Sequence, residues 1–149
     1  MKWRASRYGM GLAIVAVLTA CASPVPMTAS SDASDPACAA VIVRLPEDVV
    51  GLAIRETTAQ ATGAWGSPAQ VLLRCGVAPP APSSLPCAEY GGVDWLVDST
   101  AADSYVIATT YGRTPAVEVV LSDSLDQPAA VLADIAGAVD VIAATRRCL

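Results

Sequence analysis

Four cysteines, Cys38, Cys75, Cys87 and Cys148, constrain this chain more than any other feature. An even set in an exported domain reads as two disulfides, which dictate which segments lie side by side. Three connectivities are open. The favoured one joins Cys75 to Cys87 across the Pro-rich stretch GVAPPAPSSLP and leaves Cys38 to tie the start of the domain to Cys148. In a chain-entropy account these loops contribute roughly 3 and 4–5 kcal/mol. There is no C-x-x-C pair and no histidine, so redox and metal roles are set aside.

Export is read from the N-terminus. Lys2, Arg4 and Arg7 precede an uncharged run from Met10 to Ala20. As a helix that run would span roughly 16 Å, about half of a ~30 Å bilayer core. It is too short to cross and suits the apolar region of a signal peptide. Leu18-Thr19-Ala20-Cys21 resembles the lipobox of bacterial lipoproteins. There the cysteine thiol receives diacylglycerol and cleavage leaves it as the new N-terminus. A cysteine at the end of the apolar run, behind small residues, favours this over an ordinary secretory signal with Cys21 as a bystander. Two acyl chains give stable anchoring where one does not. The expected organisation is a leader over 1–20, the lipidated Cys21 and a flexible tether over 21–35, and one domain over 36–149. The tether reads ASPVPMTASSDASD from Ala22, with a reach on the order of 20 Å.

The whole chain carries a net charge of −5. Lys2, Arg4 and Arg7 leave with the leader and no acidic residue does, so the domain is more acidic still. Nucleic acid and anionic headgroups are poor partners for such a surface, and attachment to the membrane falls to the lipid. Lys2 is the sole lysine, so the domain after Cys21 has neither Lys nor His. This excludes Ser-His-Asp and Cys-His catalysis, H-E-x-x-H zinc sites, Ser-Lys acylation, Schiff bases and the P-loop. No metal site and no cofactor are expected. Asp98, Asp103, Asp123 and Asp126 lack the spacing of a calcium loop and read as loop caps. Carboxylate chemistry or binding remains.

The coarse elements follow from period and punctuation. SDPACAAVIVR is a short helix with Asp35 as N-cap, Pro36 at its first position, and a stop at Leu45-Pro46. Residues 46–66 mix helix formers with threonines and glycine and are ambiguous. Period two marks strands over 70–75, 93–98, 104–111 and 116–121. The YGRTP turn makes the last two an antiparallel hairpin. A helix starts near Asp126 and Pro128, buries Val131, Leu132, Ile135, Val139 and Ile142, and places Arg146 and Arg147 in its last turn. The fold class is α+β: a small antiparallel sheet of about four strands, the C-terminal helix packed on one face, and a short N-terminal helix.

Alternation puts Arg74, Asp94 and Glu118 on the sheet face away from the helix. The favoured reading is a cross-strand ion pair on a solvated face. The sharper one is a polar site for a cationic or glycan ligand, or a carboxylate pair for glycoside hydrolysis. Trp65 and Trp95 could stack on sugars, but Trp95, mid-strand on the apolar face, reads as core, and Trp65, in a turn and more open, is also favoured as a packing residue.

Trp65-Gly66-x-Pro68, Leu73-Arg74-Cys75-Gly76-Val77, Asp94-Trp95 and Tyr111-Gly112-Arg113-x-Pro115 occur in this order. In this the chain, over roughly Cys38 to Cys148, resembles the domain-of-unknown-function family 3515, small envelope proteins of high-GC Gram-positive bacteria. The resemblance implies a membrane-associated location and this architecture. The family has no assigned activity, so no catalytic residue carries over. The expectation is a lipid-anchored, extracytoplasmic, non-enzymatic binding or accessory module with an envelope protein or glycan as partner. A carboxylate-based hydrolase of envelope glycans is the alternative.

Overall fold

The computed structural model describes residues 23–149; the leader, the lipobox and Cys21 lie outside the described residues. The elements run α1 (Pro36–Ile42), β1 (Asp48–Val49), β2 (Leu52–Arg55), β3 (Thr62–Trp65), β4 (Val71–Val77), β5 (Cys87–Tyr90), β6 (Val93–Ala102), β7 (Tyr105–Thr110), β8 (Ala116–Ser122) and α2 (Pro128–Val139). The eight strands form one antiparallel sheet in the order β1-β2-β3-β4-β8-β7-β6-β5.

The expected four-stranded sheet is therefore corrected to eight strands. Strands read from period two stand at its centre as β4, β8, β7 and β6. The additional ones gave no alternation to read. Every residue of β3 is buried, β1 has two residues, and β2 is short and largely exposed. These three occupy the segment that was ambiguous in the sequence. β5 follows directly on the Pro-rich stretch.

Both helices cover one sheet face. Cys38 and Val41 of α1 and Val131, Leu132, Ile135 and Val139 of α2 close over Leu73, Val93, Trp95, Val117 and Val119 in a single core. Trp65 is fully buried as well, and its indole N–H donates to the Pro46 carbonyl at 3.0 Å; it packs as favoured, but as the last residue of β3 and not in a turn. Asp35 caps α1, accepting from the Ala37 amide at 2.7 Å. α2 begins with Pro128, but Gln127 and not Asp126 holds the cap position, without a side-chain bond. The helix stops at Val139, so Arg146 and Arg147 belong to an irregular tail and not to its last turn.

The disulfides are Cys38–Cys75 and Cys87–Cys148, which overturns the favoured pairing. Sheet order supplies the reason. Cys75 on β4 and Cys87 on β5 stand four strand positions apart, on the order of 19 Å. Cys75 points into the helix-covered core, where Cys38 meets it. Cys87 is registered with Leu96, on the opposite face. The Pro-rich stretch is a link across the sheet and not a loop closed on itself.

The segment expected to be a free tether is docked over its described part. Val25 is nearly buried and forms a parallel bridge with Thr57, with Val25 N to Glu56 O at 2.8 Å and Thr58 N to Val25 O at 3.0 Å. Further on, Asp32 N donates to Gly76 O at 3.1 Å. Gly76 has φ +92°, and a Cβ there would collide with the backbone of Asp32 and Ala33.

Candidate functional site

Of the three polar residues singled out on the open face, the sheet brings two together. Arg74 and Glu118 are register partners on β4 and β8. Arg74 Nε and Nη2 both donate to Glu118 Oε1, at 3.1 and 2.5 Å. The pair is partly exposed, at 38 and 17 % for the two side chains, and so is worth about 0–1 kcal/mol. It borders a shallow groove of about 240 Å³ walled by Met27, Leu72 and Val120.

Asp94 is not part of that pair. Alternation does put it on the same face, but on β6, two strands from Glu118 and offset along them. Strand spacing and rise place the two Cα atoms on the order of 12 Å apart, so the two carboxylates do not share a contact as Arg74 and Glu118 do. Asp94 is also 5 % exposed, beneath the C-terminal tail. Its Oδ2 accepts from the Cys148 amide at 3.2 Å and faces Arg147 Nη1 at 3.8 Å. This carboxylate fastens the tail and has no open side toward a substrate.

The turn after β7 completes the fastening. Gly112, at φ +71°, lies so close to Arg146 that a Cβ would strike its backbone, and Gly112 O accepts from Thr145 N at 2.7 Å and Thr145 Oγ1 at 2.9 Å. The Arg146 guanidinium stands 5.5 Å from the centre of the Tyr111 ring. Arg113 is buried and donates to the carbonyl of Ile142 and to Asp140 Oδ1 at the end of α2. A cation there suits the free carbonyls and the dipole of a helix C-terminus. From its sequence, YGRTP is a simple hairpin turn. An arginine beside a glycine says nothing of burial, and only the tail's return across the sheet gives it a partner.

An open cleft of about 330 Å³ lies where the Pro-rich link, β6 and the tail meet. Leu85, Leu96 and the Cys87–Cys148 disulfide form its apolar walls, and Tyr111 and Arg147 supply aromatic and cationic groups. No carboxylate side chain lines it. The arrangement can take a group that is apolar on one flank and offers an anion or hydrogen-bond acceptor on the other. It holds no acid–base pair.

Among the described residues no cluster of His, Cys, Asp or Glu has metal-binding geometry. Asp98 accepts from Thr100 N and Oγ1, both at 2.8 Å, and these bonds, the backbone one foremost, hold its carboxyl below the ordinary aspartate value. Among the described residues no helix is long and apolar enough to cross a membrane.

No curated protein and no solved structure matches the chain. One family model, described as "Protein of unknown function (DUF3515)", matches residues 10–147. That span takes in all four stretches in which the resemblance was read, and in the structure each of them secures a terminal segment or the core. The chain belongs to the DUF3515 family.

Proposed function

We propose that this protein is a lipoprotein anchored through Cys21 on the extracytoplasmic face of the cell membrane, where it serves as a non-enzymatic binding or accessory module of the envelope. The Leu18-Thr19-Ala20-Cys21 stretch behind a short apolar run supports the anchor. The observation that carries the binding reading is the cleft beside Tyr111 and Arg147, which joins apolar walls to an aromatic and a cationic side chain and has no carboxylate side chain in its lining. The conspicuous acidic residues are engaged elsewhere, Glu118 with Arg74 and Asp94 with the tail.

Photo-crosslinking from the native membrane tests this. A crosslinking residue at Leu85, in the cleft, should capture a defined envelope component. The same residue at Tyr105, exposed at the far end of the sheet, should not. Equal or absent capture at both positions contradicts the cleft as the site. Release of fragments from purified envelope glycan, lost in Glu118→Gln, would instead establish a hydrolase.

A further inference from the structure

We infer that the domain stands directly on the lipid headgroups, on the sheet end that carries the Val50–Gly51 turn; this rests on the reading that Cys21 bears the lipid. The chain is held from Ser23 onward. Ser23 O accepts from Arg55 Nη2 at 2.7 Å, and Val25 follows in its bridge to Thr57. Cys21 stands two positions before Ser23 in the sequence, so at most about 7 Å of chain separates their Cα atoms. A lipid on Cys21 therefore meets the domain at that corner, with no long linker to let it tumble.

The direction of the chain selects the end. Val25 runs parallel to Thr57, so the chain comes into the domain from the side where β2 begins, at the Val50–Gly51 turn. The opposite end, with Gly112, Arg147 and the cleft, lies on the order of 20 Å further from the bilayer, facing the envelope.

The turn itself has an unusual composition. Val50 and Gly51 connect β1 to β2 with φ +46° and +84°, a geometry that Asn-Gly adopts with ease. A β-branched residue there is strained. Val50 is nevertheless at this tip, 37 % exposed, and Ile54, further along β2 and registered with Trp65, is 39 % exposed. These apolar side chains suit the headgroup boundary better than water. Asp134 of α2 accepts from the Val50 amide at 3.1 Å, and Asp48 and Asp126 also share this end with Arg55, so attraction to anionic lipid does not hold it down, and the short connection does.

The test uses the full, lipidated, isotope-labelled protein in phosphatidylcholine nanodiscs doped with a gadolinium-chelating lipid. Intact mass is read first. Amide signals of Val50 and Gly51 should lose most of their intensity, while those of Gly92 and Gly112 persist. A flexible Gly-Ser insertion of about 15 residues between Ala22 and Ser23 should abolish that contrast. Val50→Asn should raise the melting temperature of the domain and leave the contrast in place. Uniform broadening in a protein whose mass includes diacylglycerol overturns the orientation alone. A contrast that survives the insertion overturns the short connection as its cause. A mass without lipid on Cys21 overturns the anchor and the orientation together.

Discussion

Arg113, 1 % exposed, donates from Nη2 to Asp140 Oδ1 at 2.9 Å across the end of α2. The same side chain binds the carbonyl of Ile142, so one guanidinium joins the turn after β7 to the helix end and to the start of the tail. Arg113→Ala should destabilise the domain by about 2–4 kcal/mol, through a cavity and unpaired carbonyls. Arg113→Met, which refills the volume, should cost less, because a buried charge carries a desolvation penalty. Asp140→Asn should cost about 1 kcal/mol at most, since that carboxylate is 64 % exposed. Urea denaturation of the three variants checks the order.

The two disulfides differ in access. Cys38 and Cys75 are fully buried, whereas Cys87 is exposed and Cys148 partly so. Brief treatment of the folded protein with a dithiol, followed by alkylation and peptide mapping, should label Cys87 and Cys148 first. Each closed loop, with separations of 37 and 61 residues, contributes about 4 kcal/mol in the chain-entropy account. Preferential labelling of Cys38 and Cys75 would contradict the described packing.

Two glycines should respond with opposite signs. Gly76→Ala places a Cβ against the Asp32 and Ala33 backbone at φ +92° and should cost at least about 2 kcal/mol. Gly137 lies inside α2 with open space around it, and Gly137→Ala should stabilise by about 0.5–1 kcal/mol. Thermal melts of both variants settle the comparison.

The open-face carboxylates should also part company. Glu118→Gln should change stability by under about 1 kcal/mol, and by less in high salt. Asp94→Ala should cost about 1–3 kcal/mol, because the partly buried Cys148 amide loses its acceptor. The reading of the three residues as equivalent members of one exposed cluster predicts equal, small effects.

Much of the centre of the fold was legible. Val71, Leu73 and Cys75, or Val117, Val119 and Leu121, alternate with residues on the open face, so β4 and β8 could be read directly. The apolar face of α2 could be read in the same way. What escaped depended on residues distant in sequence. β3 is buried on both faces and has no period. Cys87 finds Cys148 only because β5 lies at the far edge of the sheet, beside the tail. Asp94 and Glu118 share a face, as alternation requires, but alternation says nothing of which strands adjoin. The cleft was hidden for the same reason, since the Pro-rich link, β6 and the tail meet there from separate parts of the chain.

The lipid at Cys21 is tested most directly by the intact mass of the protein extracted from native membranes. The predicted result is a chain that begins at Cys21, lacks residues 1–20 and carries diacylglycerol on that thiol, with the other cysteines in two disulfides. A mature chain that begins elsewhere, or an unmodified Cys21, would contradict it.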